Sequence, residues 1–364
     1  MKSCNYFVVV KTAQIFKRIS LIFLLNIFLL LSSFAYGVES YVLTEGTKLK
    51  SGHSENLTSP IYLPVNGKVN NQLSAVTKIE AREKDGFSYP YYLFIPNEIR
   101  NDKSGIHTIL IIPSNSGAND DFEHHDKAAL KQAEDMRGLA ARLKVALLIP
   151  AFPRPKTDWQ IYTHALDRDS MLTEKKSLKR FDLQLIKMID YSRKMLQADK
   201  LNFDKRIFMM GFSAAGMFSN RFTLLHPERI KAAVFGSPGG WAIAPIESWQ
   251  NKKLRYPIGI ADFKSVSGKN LNMKKLKKVP LFFFLGDQDT NDSVVFRDSY
   301  ETADEVLIFE MFGKTPLERW TITKKIYEEN LPLATLKLYP NVGHSWSNDI
   351  WKDVMDFFNK HLND

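Results

Sequence analysis

Cysteine is almost absent from this chain, whose 364 residues include only Cys4. Because Cys4 lies in an N-terminal segment that we predict is removed, the remaining chain has no thiol. This absence excludes a cysteine nucleophile, a zinc site built on thiolates and a disulfide framework. A chain of this length can be stable without disulfides, since it is long enough to bury a large core. Its 44% hydrophobic and 25% charged content is typical of a globular protein.

The first 37 residues have the layout of a secretion signal. Four cations precede an apolar run at residues 19–31, and the small-residue sequence Ala35-Tyr36-Gly37 follows. The run is short for a transmembrane helix, which needs about 20 residues. We therefore predict a signal peptide at residues 1–37, cleaved after Gly37 or, as the alternative, after Ala35. The expected location is secreted or periplasmic, and an uncleaved membrane anchor is the other interpretation.

The chain is basic, with a formal net charge of +10 that falls to +6 without the four cations of the signal peptide. Nine lysines and arginines lie within residues 250–278, against a single acid, Asp262. This stretch predicts either a solvated surface segment or a weak attraction to an anionic surface. Nucleic acid is not an expected partner, because the stretch has little aromatic interleaving and the chain is predicted to be exported.

Short apolar segments alternate with amphipathic segments from residue 76 onward, after a polar and irregular extension at residues 38–75. The apolar segments do not alternate in polarity, which is typical of strands buried on both faces of a parallel sheet. We therefore predict an α/β fold, a three-layer sandwich with a mostly parallel sheet of about eight strands. The predicted strands are residues 75–83, 87–96, 106–113, 144–150, 206–212, 231–236, 280–286 and 334–340. The predicted helices are residues 126–143, 177–197, 215–225, 315–330 and 349–361.

Ser213 follows a predicted strand and precedes a predicted helix in the sequence RIFMMGFSAAGMFSNRF. Functional residues of parallel sheets lie at the carboxyl ends of the strands. A serine nucleophile needs exposure, a base and donors for the oxyanion, and a sharp strand-turn-helix offers exposure and free N–H groups. Small residues at Gly211 and Ala215 suit the close approach of strand and helix. An ordinary small-residue linker is the alternative interpretation.

The pentapeptide from Gly211 to Ala215 resembles the nucleophile elbow G-x-S-x-G of the α/β-hydrolase superfamily. Ala215 replaces the second glycine, and Gly216 follows one residue late. The resemblance covers about residues 76–361 and is closest to the esterase, polyhydroxyalkanoate-depolymerase-like and feruloyl-esterase-like branches. It implies an α/β-hydrolase domain at residues 76–364, with a basic insertion at about residues 241–279. No cofactor is expected.

In this superfamily an acid follows the serine in chain order. The segment after the strand at residues 280–286 contains Asp287, Asp289 and Asp292. The G-x-x-D arrangement that is frequent there maps onto Gly286 and Asp289, which makes Asp289 the expected acid and Asp292 the alternative. An aspartate-rich turn without a catalytic role is the other interpretation.

The superfamily's histidine lies on the loop after the last strand, and His344 has that position. The resemblance therefore implies a triad of Ser213, His344 and Asp289, in which Asp289 orients the imidazole and stabilises the imidazolium. The adjacent His124 and His125 are interpreted as the start of a helix. A metal site there is not expected, because adjacent histidine side chains diverge.

The oxyanion is expected to bind two backbone N–H groups. One belongs to Ala214, and the other to the loop after the first parallel strand, where we choose Asn115 over its close alternatives Ser114 and Ser116. Four further residues on loops at the same rim are candidates for contact with substrate, although each has a structural alternative. They are Trp159, Tyr162, His164 and Trp241. The alternative for the first three is a loop whose polar groups bond to each other, and the alternative for Trp241 is an aromatic side chain of the core.

These residues predict an exported serine hydrolase that cleaves a small or polymeric ester through an acyl-enzyme. A serine peptidase of the prolyl-oligopeptidase type is one alternative, although the segment at residues 38–75 is too short for a propeller domain. A non-catalytic binding protein on the same fold is the other alternative, since a fold does not fix function.

Overall fold

The structure is a computed structural model that describes residues 75–364. The predicted signal peptide at residues 1–37, and all but the last residue of the predicted extension at residues 38–75, lie outside the described residues. Within residues 75–364, the helices are all too short or too polar to cross a membrane.

Eight strands form the main sheet, as the alternation of apolar segments predicts. In their order across the sheet they are β1 (Thr77–Ile79), β2 (Tyr91–Phe94), β5 (Ala146–Pro150), β4 (Ile109–Ile111), β7 (Ile207–Phe212), β8 (Ile230–Gly236), β11 (Leu281–Gly286) and β12 (Ala334–Tyr339). β2 pairs antiparallel with β1 and β5, and the other neighbours pair in parallel. Two small separate sheets pair β3 (Ile106–His107) with β6 (Asn202–Phe203), and β9 (Ser248–Trp249) with β10 (Lys252–Lys253).

Eleven α-helices lie within the described residues. They are α1 (Asn97–Asn101), α2 (Phe122–Asp135), α3 (Arg137–Leu143), α4 (Arg168–Leu172), α5 (Phe181–Ala198), α6 (Ala214–Leu225), α7 (Phe263–Ser267), α8 (Met273–Leu276), α9 (Thr302–Phe312), α10 (Pro316–Asn330) and α11 (Asn348–Lys360). Short 3-10 turns occur at Glu83–Asp85, Thr163–Ala165, Lys176–Leu178, Pro227–Arg229 and Ser293–Phe296.

The two faces of the sheet carry separate hydrophobic cores. Neighbouring residues of one strand, such as Met209 and Met210 of β7, belong to different cores because successive side chains point to opposite faces. One core includes side chains of α5, α6 and α10, and the other includes side chains of α2, α3 and α11. This explains why the strand sequences are continuously apolar, since both faces are covered.

The helices of the structure differ from the predicted ones at two longer segments. The single helix expected at residues 126–143 is two helices, α2 and α3, and Met136 (φ −89°, ψ −1°) ends the first and caps the start of the second. The first of them begins at Phe122, where the Asp121 carboxylate accepts from the Glu123 N–H at 3.0 Å. The helix α9 was not predicted, although Glu301 and Asp304 form a capping box at its start.

The predicted insertion at residues 241–279 contains β9, β10, α7 and α8. Its apolar residues are divided between the core that includes α5 and a third core with side chains of α9 and α10. Three of its cations are paired: Lys252 with Glu310, Arg255 with Asp304, and Lys269 with Glu228. Within residues 75–364, six exposed lysines of this segment have no ion pair: Lys253, Lys264, Lys274, Lys275, Lys277 and Lys278. Part of the basic charge therefore stays open to solvent.

Candidate active site

Ser213 lies between β7 and α6 in a strained backbone conformation. Its φ of 58° and ψ of −125° lie in a region that residues with a side chain rarely adopt, at a cost of about 1–3 kcal/mol. The Ser213 N–H donates to the Gly236 carbonyl at the end of β8 (2.9 Å), and the Ser213 carbonyl accepts from the Met217 N–H (3.0 Å). The turn therefore holds the serine, half-buried, at the carboxyl end of the sheet.

Two glycines allow α6 to pack closely against the sheet. A Cβ on Gly211 would lie 2.0 Å from the Ala215 carbonyl oxygen, and a Cβ on Gly216 would lie 2.7 Å from the Gly236 carbonyl oxygen. Gly211 thus accommodates the first turn of α6, and Gly216 accommodates the neighbouring strand β8. Gly216, which lies one residue beyond the position of the motif's second glycine, therefore has a packing role of its own.

His344 and Asp289 form a hydrogen-bonded pair at the same end of the sheet. The His344 Nδ1 lies 2.9 Å from Oδ2 and 3.1 Å from Oδ1 of Asp289. Burial raises the pKa of Asp289, but the hydrogen bond and charge attraction of His344 outweigh burial and hold that pKa below its ordinary value. The Asp289 side chain is only 1% exposed, and that of His344 is 15% exposed. An ionised Asp289 favours the tautomer with the proton on Nδ1, which leaves Nε2 as an acceptor.

A close contact between two loops brings this pair together. The Gln288 N–H, in the loop after β11, donates to the Val342 carbonyl, in the loop after β12, at 2.9 Å. A Cβ on Gly286 would lie 2.0 Å from that same carbonyl oxygen. Only glycine at residue 286 lets the two loops approach so closely, and Asp289 therefore reaches the ring of His344.

Asp292, the alternative acid, is paired with Arg319 of α10. The Arg319 Nη1 lies 3.1 Å from Asp292 Oδ1, and Nη2 contacts the other carboxylate oxygen. The guanidinium, only 1% exposed, also donates to the Gly240 carbonyl at 3.0 Å. Of the three aspartates after β11, Asp289 alone contacts His344 in the described part of the chain.

The ring of His344 lies next to the serine turn. Its centroid is 4.6 Å from the ring centroid of Phe212, the residue before Ser213. Among residues 75–364, the Ser213 hydroxyl has no hydrogen-bond partner, and the His344 Nε2 lies instead 2.8 Å from the Asn291 amide nitrogen. The structure therefore joins His344 to Asp289 but not to Ser213. Catalytic hydrogen bonds are often open until substrate binds.

The predicted oxyanion donors lie on two elements. Ala214 is the first residue of α6, where backbone N–H groups have no partner within the helix. In the loop after β4, Asn115 is exposed, whereas the Ser114 hydroxyl is buried without a partner among the described residues. The loop is accessible at the predicted residue, and the assignment of its donor remains a prediction.

Two histidines of α2 fix that loop, a role that the sequence analysis did not assign to them. The Ser116 hydroxyl is 2.6 Å from the His125 Nδ1, and the Ser116 carbonyl accepts from the His124 Nε2 at 2.6 Å. Burial lowers the pKa of His125, which favours its neutral form. Within residues 75–364, no group of three or more His, Cys, Asp or Glu residues is arranged to hold a metal ion.

Of the four residues expected to contact substrate, only Trp159 is well exposed. It is 46% exposed and lines a cavity of about 220 Å³. Tyr162 is buried beneath the guanidinium of Arg154, which lies 3.6 Å from its ring centroid. The lining of that cavity includes neither Ser213 nor His344, so contact of Trp159 with substrate stays a prediction, whereas Tyr162 packs in the interior.

His164 and Trp241 are buried side chains, and Trp241 also lines a small cavity with Asp289 and Asn291, so their contact with substrate stays a prediction. His164 is 1% exposed, and its Nε2 lies 2.7 Å from the Phe152 carbonyl oxygen. Burial lowers the pKa of His164 to about 3, which favours the neutral ring. Trp241 is 2% exposed and stacks on Phe312, with ring centroids 4.0 Å apart. Both side chains are used for packing.

No protein-family model matches the chain, and no curated protein matches it. Solved structures do match. One is poly(aspartic acid) hydrolase-1 from Sphingomonas sp. KT-1, at a TM-score of 0.53 and 18% identity, over 80% of this chain and 99% of the other. Another is an S-formylglutathione hydrolase from Agrobacterium tumefaciens, at a TM-score of 0.50 and 14% identity, over 81% of this chain and 98% of the other. At these identities the likeness concerns the fold.

Proposed function

We propose that this chain, which has the α/β-hydrolase fold, is an exported serine hydrolase that cleaves ester bonds. The observation that carries the proposal is the hydrogen-bonded His344–Asp289 pair beside the strained turn of Ser213. An imidazole oriented by a buried carboxylate supplies a base, and a sharp strand-turn-helix offers a hydroxyl at the carboxyl edge of the sheet. These groups are of the types that acyl transfer needs, and they lie at the same end of the sheet.

The reaction follows from these groups. The Ser213 Oγ attacks the acyl carbon while the His344 Nε2 takes its proton, and the Ala214 N–H donates to the oxyanion that forms. The imidazolium, stabilised by Asp289, then gives the proton to the leaving oxygen, which departs as an alcohol. Water enters, loses a proton to Nε2 and attacks the acyl carbon. The imidazolium then returns that proton to the Ser213 Oγ as the acid leaves. The pKa of Asp289, held below its ordinary value, keeps that carboxyl ionised throughout.

Turnover of an acyl ester tests this function. Ser213→Ala is expected to lower kcat/KM by about 10³-fold or more, because the nucleophile is lost. Ser265→Ala is the matched control, since Ser265 is an exposed serine whose hydroxyl donates only to the Asp262 carbonyl. Equal turnover by the two variants would contradict the assignment.

The amide analogue of the same substrate separates an esterase from a peptidase. The two structural neighbours are named as hydrolases of poly(aspartic acid) and of S-formylglutathione, so the fold serves different acyl groups. We expect the ester to be cleaved much faster than the matched anilide. Comparable rates would favour the peptidase alternative.

Export is part of the proposal and rests on residues 1–37. Intact mass and N-terminal sequencing of protein recovered outside the cytoplasm are expected to give a chain that begins at Val38, or at Tyr36 if Ala35 precedes the cleavage site. A full-length chain in the membrane fraction would favour the anchor alternative.

A further inference from the structure

Asn291 is hydrogen-bonded to the His344 Nε2, the atom that acts as the base in the proposed reaction. Its amide nitrogen lies 2.8 Å from the His344 Nε2, and its backbone N–H donates to Asp289 Oδ1 at 2.9 Å. One residue therefore contacts both members of the His344–Asp289 pair. This contact could not be predicted from the sequence, because an asparagine two residues after an acid is common in turns.

The chemistry of the two nitrogens fixes the direction of this hydrogen bond. An amide nitrogen only donates, so Nε2 is the acceptor and the ring proton is on Nδ1, facing Asp289. That is the tautomer a general base requires. In this structure, however, the lone pair of Nε2 receives the Asn291 amide, while the Ser213 hydroxyl has no partner among the described residues. The amide must leave Nε2 before Ser213 can donate its proton.

The Asn291 amide lies beside Nε2, where the leaving oxygen of the ester must also come. A group that takes a proton from Nε2 must come within about 3 Å of that atom, and the Asn291 amide nitrogen is already at 2.8 Å. A leaving oxygen that displaces the amide from Nε2 therefore stays within its reach. We propose that Asn291 is a catalytic residue that donates a hydrogen bond to the leaving oxygen of the ester, an inference that rests on the proposed function.

The charged groups around His344 do not take over this role. Asp289 faces Nδ1, and Asp292 is paired with Arg319. Asp287, on the same loop, contacts no part of the ring in the described residues, and the Phe212 ring on the β7 side is apolar. Asn291 is thus the polar group closest to Nε2, and it offers a donor where negative charge collects on the departing oxygen.

Two esters with the same acyl group test the proposal. A nitrophenyl ester has a good leaving group that needs little help, whereas an alkyl ester has a basic leaving oxygen that gains most from a donor. A hydrogen bond to a charged group is worth about 10-fold or more in rate. In Asn291→Ala, the ratio of kcat/KM for the nitrophenyl ester to that for the alkyl ester is therefore expected to rise about 10-fold.

Thr290→Ala is the matched control, because Thr290 is an exposed neighbour on the same loop, and its ratio should equal that of the wild type. Melting curves verify that each variant is folded. A uniform loss on both esters would mean a structural role, and a uniform gain would mean that Asn291 only blocks the base; either result overturns the proposal. If the wild type cleaves neither ester, or Ser213→Ala cleaves both, the proposed function itself fails.

A second variant tests the position of residue 291 independently of leaving groups. In Asn291→Asp, a carboxylate beside Nε2 favours the imidazolium form of His344. The acid limb of the kcat/KM profile is expected to move upward by about one pH unit or more. An unmoved acid limb in a folded variant would show that residue 291 does not face Nε2 in solution and would overturn the proposal.

Discussion

Asparagine at residue 292 is expected to destabilise the protein and to spare catalysis. The Arg319 guanidinium is 1% exposed and pairs with both oxygens of Asp292. Removing one member of a buried ion pair costs about 3–5 kcal/mol. The low end applies here, because the Gly240 carbonyl still accepts from Arg319 and an asparagine keeps one acceptor oxygen. We expect a loss of about 3 kcal/mol, which lowers Tm by about 6 °C in a domain of this size.

Asparagine at residue 289 is expected to have the opposite effect, a large loss of turnover with a smaller loss of stability. An amide there cannot stabilise the imidazolium of His344 and favours the wrong tautomer, so kcat should fall by about 10³- to 10⁴-fold. Ester turnover and thermal melting of Asp289→Asn and Asp292→Asn, measured side by side, separate the two roles. If Asp292→Asn loses turnover a thousand-fold while Asp289→Asn retains it, the assignment of the acid from the geometry is wrong.

Three further predictions follow from packing, burial and charge. Gly211→Ala should lower the free energy of urea unfolding by about 3 kcal/mol, because the new Cβ would lie 2.0 Å from a backbone carbonyl oxygen. Gly343→Ala, whose Cβ would lie 3.8 Å from the nearest carbonyl oxygen, should lower it by under about 0.5 kcal/mol. Equal losses would refute the steric argument. Burial lowers the pKa of His164 to about 3, below the unfolded value of about 6.5, so its contribution is complete above pH 6.5 and is lost as the pH falls towards 3. Unfolding free energy should drop by about 2 kcal/mol between pH 6.5 and 5 through this group, and a His164→Gln variant with an unchanged slope would contradict it. Replacing the four lysines of residues 274–278 by glutamine should weaken any sedimentation with anionic vesicles, and binding that persists unchanged would place the attraction elsewhere.

The layered fold could be predicted because strands that are buried on both faces have continuously apolar sequences. β7 and β11 are buried at every residue, and their sequences are continuously apolar. The serine turn was identifiable for a related reason: Gly211 and Gly216 are needed where α6 meets backbone carbonyls. Local sterics of this kind are read from a short window of sequence.

Contacts between distant segments could not be read in this way. The pairing of Asp292 with Arg319 depends on where α10 packs, and the burial of Trp241 depends on α9, a helix that was not predicted. Asn291 contacts His344 only because two loops meet at Gly286. Residue type and spacing alone do not specify such contacts.

Labelling with a fluorophosphonate, followed by peptide mapping, is the most direct test of the central claim that Ser213 is a nucleophile activated by His344. We predict a single adduct on Ser213, no labelling of Ser213→Ala, and labelling of His344→Ala that is slower by about 10³-fold or more. An adduct on another residue, or undiminished labelling of Ser213→Ala, would contradict it.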